Sequence, residues 1–372
     1  MKKIVLFYLL IFASFAVMGQ QSKTQKFYVG TYTTEGAEGI YLCDFNTVTG
    51  EIKLDETFKG LDDPTFLKIS PNRKYLYVVT RVSEAVEKSG GYVSAYEIEK
   101  NGNIHFLNKQ VSNGAGPCHV DVSPNGKFVA IAAYDGGTTS LYPVNTDGTL
   151  QPATSVIINH GSGPVKDRQE RPHAHSIKFS PYSNQVFSAD LGTDQFNIFT
   201  LEGDKLVQHG QKFVKMAPGA GPRHFEFYPN GKVIYVISEL NSTVTALRNE
   251  GGEWKIFQVL SALPKDFTGT SYSADIHISK DAKYLYGSNR GHNSVTVFSI
   301  DPDSQKLTFK TTVDVHGNWP RNFALTPEGN YMLVANQRSG NITVFKINKE
   351  TGIPEFTGKE IKLPSPVCID FL

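Results

Sequence analysis

The chain has 372 residues, with 37 Lys+Arg against 36 Asp+Glu, 33 Gly, 19 Pro and only 3 Cys. A formal net charge of +1 gives no general reason to expect nucleic acid or an anionic membrane surface as a partner. Three cysteines without a C-x-x-C pair exclude a disulfide scaffold and a cysteine zinc site.

The first predicted element stands outside the fold. Lys2 and Lys3 precede an apolar run of 14 residues, Ile4 to Val17. That length fits a signal-peptide core and is short for a membrane span. Val17 and Gly19 supply the compact residues that cleavage before Gln20 requires. The expectation is a signal peptide over 1–19 and one domain over 20–372, periplasmic or secreted, with no membrane contact after cleavage; a retained anchor is the alternative.

Period-2 alternation bounded by Gly, Pro and Asn then predicts strands. Phe27–Tyr32 and Gly39–Cys43 are the first two. Six similar units follow, with Ser-Pro-Asn-Gly-type turns at 71, 124, 181, 229, 280 and 327. Each unit places a short apolar strand before the turn and a Tyr/Val-rich strand after it. An alternating strand such as Ser294–Phe298 or Asn341–Phe345 comes next, then a weaker fourth. Four strands in about 50 residues is the size of a β-propeller blade. The last segment, Ser365–Phe371, matches the first strand of a blade whose next two strands lie at the N-terminus. The fold class is therefore all-β: a seven-bladed β-propeller, four antiparallel strands per blade, the last blade closed by the N- and C-terminal strands. Closure removes the open sheet edges. It also puts a strand between Cys43 and Cys368, too far apart to bond, and leaves Cys118 in another blade. Three free thiols are expected; catalysis by Cys118 is the lesser reading.

Equivalent sites in successive blades form rings around the axis. Six residues before each turn stand Thr65, Cys118, His175, Arg223, Ala274 and Arg321. After the second strand stand Arg81, Tyr134, Asp190, Glu239, Arg290 and Gln337. Antiparallel pairing brings the two rings to one mouth of the channel. Arg suits an anionic substrate because its planar fork donates two hydrogen bonds. Opening an ester-like ring needs a base for water and donors for the oxyanion. His175 or Glu239 is the candidate base, and Arg223 and Arg290 the candidate donors. The insertion Asp167–His175 adds Arg168, His173 and His175. Its His-x-His lacks an obvious third metal ligand, and no metal or cofactor is expected. His224 ranks second as a site residue; His119 and His277 read as structural. No nucleophile elbow, P-loop or dinucleotide fingerprint is present.

Several ordered segments resemble one family. Arg168-Gln169 with Pro172-His173-Ala174-His175, then Gly221-Pro222-Arg223-His224, Ser238-Glu239-Leu240, Ser288-Asn289-Arg290-Gly291-His292 and Pro320-Arg321-Asn322-Phe323 are similar to the seven-bladed propeller lactonases. These include propeller-type 6-phosphogluconolactonases and carboxy-cis,cis-muconate cyclases. The resemblance runs from about residue 26 to 372. It implies hydrolysis of a small anionic sugar-acid lactone, with His175, Arg223 and Glu239 catalytic and Arg290 a further anion contact; from the rings and the insertion, Arg168, His173, His224 and Arg321 are expected to bind substrate beside them. A muconate-type cycloisomerase and a non-enzymatic anion-binding propeller are the alternatives. The family's phosphorylated lactone is cytosolic, whereas the leader implies export.

Overall fold

The computed structural model describes residues 24–372. The expected signal peptide over 1–19 lies outside the described residues.

The turns that punctuate the sequence are built by their own side chains. Ser70 Oγ donates to Asn72 Oδ1 at 2.7 Å and accepts from Tyr75 N–H at 3.0 Å, while Asn72 Oδ1 accepts from Lys74 N–H. Ser123 and Asn125 repeat the pattern. Such Asx-type turns fix each strand reversal locally. The strands they join form seven four-stranded antiparallel sheets. Six sheets are sequential. The seventh runs Pro366–Phe371, Thr24–Thr31, Gly39–Asn46, Ile52–Lys59, with Phe27 opposite Phe371 and Val29 opposite Ile369. In it Cys368 faces Gly30 and Cys43 faces Phe27, so a strand separates the thiols. All three cysteines are free and buried.

The core lies between blades, not inside them. One cluster packs Phe27, Tyr41 and Phe45 of the closing blade against Tyr331, Leu333 and Val344 of its neighbour. Another packs Phe187 and Phe196 against Phe225, Ile234 and Trp254. A blade alone would leave one such face in water, so the ring is one cooperative unit. Second strands such as Val233–Ser238 are buried throughout, while fourth strands such as Ile52–Lys59 are largely exposed.

One irregularity recurs at the axis. In six of the seven innermost strands the register against the second strand slips near the start. The extra residues include Cys118, His175, Arg223, Ala274, Arg321 and Val367. A bulge breaks the strict alternation of faces and re-aims the side chain. The ring of varied residues read from the sequence is thus a ring of bulges.

Candidate active site

Glu239 follows the buried strand Val233–Ser238, and its N–H donates to Gly221 O at 2.7 Å. That bond ties it to the start of the innermost strand Pro222–Phe227, which carries Arg223 on its bulge. Arg223 Nε donates to Glu239 Oε2 at 3.0 Å, and Arg290 Nη2, from the end of strand Tyr284–Arg290, reaches the same oxygen at 2.7 Å. Arg168 Nη2 takes Oε1 at 2.5 Å. His175 Nε2 stands 3.9 Å from Oε2. Arg223, Glu239, Arg290 and His175 are all buried. Further donors go to backbone: Arg223 Nη1 to Ala274 O, and Arg290 to Tyr272 O and Ser273 O.

Burial alone would raise the Glu239 pKa. Arg290, Arg223 and Arg168 outweigh it and hold the carboxyl well below the ordinary carboxylate range. Burial, reinforced by Arg223, His224, Arg321 and Arg290, holds His175 well below the usual imidazole value. The centre at neutral pH is therefore one carboxylate, one neutral imidazole and three guanidiniums.

Arg168 owes its place to its neighbour. Gln169 is fully buried; its Nε2 donates to Leu191 O and Asp194 Oδ1, and its Oε1 accepts from Val165 N–H. Asp194 also accepts from Gly219 and Gly221 N–H, which joins the insertion to the loop before Arg223.

A cleft of about 770 Å³ opens above this cluster. Glu239, Arg168, Arg290 and Arg321 line it, with Tyr272, Trp319, Glu35, Gln337 and Arg338. His175 and Arg223 do not line it; they touch Glu239 from beneath. The other predicted residues go elsewhere. His173 stacks on Tyr134 with ring centroids 4.3 Å apart, and its nitrogens meet Tyr134 O and Glu170. Asp190 accepts from His173 and Thr193 N–H and from Asn159, so it anchors the insertion. His224, one residue past the bulge, gives Nδ1 to Asp275 Oδ1 at 2.7 Å and faces a second cavity of about 540 Å³ at the opposite end of the channel. Among the described residues no group of three or more His, Cys, Asp or Glu is arranged to hold a metal ion.

Sequence reading missed Tyr272, Trp319, Glu35 and Arg338. Trp319 directly precedes the Pro320-Arg321 repeat start, and Arg338 directly follows Gln337 of the second ring. Extending the first ring by two residues and the second by one finds both.

Comparison with known proteins gives a consistent result. Residues 26–371 match the family described as Lactonase, 7-bladed beta-propeller. The 6-phosphogluconolactonase of Bacillus subtilis is 39% identical over 348 residues, covering 93% of this chain and 97% of that protein. A solved structure from Bacteroides fragilis superposes with a TM-score of 0.88 at 36% identity, covering 95% of this chain and 99% of that one. The periplasmic gluconolactonase of Pseudomonas aeruginosa gives 0.86 at 28% identity, covering 94% and 99%.

Proposed function

We propose that this chain, which belongs to the lactonase family of seven-bladed β-propellers, hydrolyses a sugar-acid lactone in the cleft above Glu239. The observation that carries the reading is a buried carboxylate held by three guanidiniums at the floor of an arginine-rich cleft. Positive charge in excess of one Glu favours an anionic substrate and the oxyanion that develops on its carbonyl. The names of the relatives, 6-phosphogluconolactonase and gluconolactonase, agree with that chemistry.

In the proposed mechanism Glu239 orients a water against the lactone carbonyl, with Arg290 and Arg168 facing the carbonyl oxygen. The water oxygen bonds to carbon, and its proton passes to Glu239. A carboxylate this acidic holds the proton only until the leaving alkoxide takes it, while His175, 3.9 Å away and held well below the usual imidazole value, stays neutral. The tetrahedral oxyanion collapses and breaks the ring C–O bond. The proton returns to the leaving alkoxide, giving the hydroxy acid. Arg223 fixes Glu239 from beneath and is a positioning residue.

The leader-like segment with Lys2 and Lys3 supports export, and the Pseudomonas protein of similar structure is periplasmic by name. We place the mature chain outside the cytoplasm. Fractionation of cells expressing the full chain tests this; a cytosolic, uncleaved product refutes it.

Glu239→Gln is expected to lower kcat/KM on a lactone panel by about 100-fold or more, the range of a lost acid–base group. Wild-type turnover in a variant that melts cooperatively would refute the role of Glu239.

A further inference from the structure

The proposed reaction leaves one part of the cleft unused. Trp319 has φ 69, in the left-handed region that a bulky residue occupies only under constraint. Its N–H donates to Asn293 Oδ1 at 2.9 Å, and its carbonyl accepts from Gln337 N–H at 3.0 Å. Held this way, the indole has the Arg338 guanidinium 3.4 Å from its ring centroid and that of Arg290 at 5.4 Å. Arg290 belongs to the Glu239 cluster. Arg338 does not: among the described residues no carboxylate lies within ion-pairing distance of it. Glu35, the other acid lining the cleft, is taken by Gln337 Nε2 at 2.9 Å and Ser365 Oγ at 2.5 Å. The backbone under Arg338 is fixed, its N–H on Asn318 O and the Asn318 N–H on Ser339 Oγ.

A guanidinium laid on an aromatic face keeps its N–H edge free to donate. Arg338 lines the cleft, one indole away from Arg290, and no acid among the described residues neutralises it. Strained backbone such as that at Trp319 is the kind that accumulates at binding sites.

We propose that Arg338, stacked on Trp319, is a specificity determinant that binds an anionic group at the end of the lactone remote from its carbonyl. We take that group to be a terminal phosphate, as the name 6-phosphogluconolactonase of the relatives suggests; the planar fork suits phosphate and carboxylate alike, and the test separates them. This rests on the lactonase reading above.

The test compares wild type, Arg338→Ala and Arg338→Lys on three lactones: 6-phosphogluconolactone, gluconolactone, and a glucaric acid monolactone with a terminal carboxylate. Loss of a charge-assisted contact to a remote group is expected to raise KM for the phosphorylated lactone about tenfold in Arg338→Ala, with kcat nearly unchanged. Gluconolactone kinetics stay as in wild type, and Arg338→Lys recovers part of the loss. Equal effects on all three substrates would overturn the proposal, and an effect confined to the carboxylate lactone would overturn the choice of phosphate. Wild type inactive on all three would refute the lactonase reading alone. Arg338 would then be decided by calorimetric binding of 6-phosphogluconate against gluconate: a preference for the phosphorylated acid lost in Arg338→Ala supports it, and none overturns it.

Discussion

Three imidazoles set the acid limit of the fold. His119, His175 and His224 line up along the channel, with ring centroids 5.3 Å apart for the first and last and 5.4 Å for the last two. Burial is the main cause holding each below the usual imidazole value, for His224 at about 4. The unfolded chain protonates the same groups near pH 6.5. Between about pH 6.5 and 4 the unfolded state therefore binds more protons, and stability falls as pH falls. Each group fully inside its window contributes about 1.4 kcal/mol per pH unit. His277 behaves oppositely. Burial disfavours its charge, but Asp275 and Glu226 outweigh that and hold it above the ordinary value. Its contribution is present below pH 6.5 and is lost only on the alkaline side. The urea midpoint is expected to drop clearly between pH 7 and 5, and an unchanged midpoint would refute the assignment.

At the scale of elements, the insertion before strand Ala174–Phe179 shapes the mouth. It contains no strand over 159–173, yet the side chains of Gln169, Asp190 and Asp194 hold it by hydrogen bonds. Arg168 is delivered to Glu239 by that anchoring. Gln169→Ala leaves the Leu191 carbonyl, Asp194 Oδ1 and the Val165 N–H without this partner, at a cost of about 1–3 kcal/mol. It should also lower kcat/KM about tenfold through misplacement of Arg168. Steady-state kinetics beside a thermal melt check this; lost stability with full activity would mean that Arg168 does not need the anchor. The bulges act in the same way across blades. Arg321 lines the cleft, Arg223 and His175 meet Glu239 from beneath, and the next residue in the Arg223 blade, His224, faces the second cavity.

Closure governs the whole molecule. Below the bulges, Lys68, Asp121, Lys178, Glu226, His277 and Asp370 occupy one ring with alternating charge, interrupted only by Ala324. Lys178 meets Glu226 at 2.9 Å and Glu226 meets His277 at 3.1 Å. At the joint between the last strand and the first repeat unit, Asp370 takes Lys68 Nζ at 3.1 Å and Ile69 N–H at 2.8 Å. Alternation avoids the repulsion that a ring of one sign would impose around a narrow axis. Ending the chain at Ser365 removes this joint and exposes the edge of Thr24–Thr31. The truncated chain is expected to aggregate and to lose its cooperative melt, which soluble yield and a thermal scan would report. A truncated protein melting like the full chain would show that closure is dispensable.

The sequence by itself determined the blades, because strand period and Asx turns are local and repeat about every fifty residues. It also determined the terminal closure and the meeting of Glu239, Arg223, Arg290 and His175, because equivalent positions in a ring must share one end of the axis. Only the tertiary structure decided which charges face the cleft. A bulge shifts register by one residue, and that shift placed Arg223 and His175 beneath Glu239 and turned His224 to the far cavity. Asp190 reads as a site residue by its ring position, but the backbone donors of the insertion claim it. Trp319 and Arg338 meet through a left-handed backbone and a hydrogen bond from Gln337, and no pattern of residue types along a strand encodes such a contact.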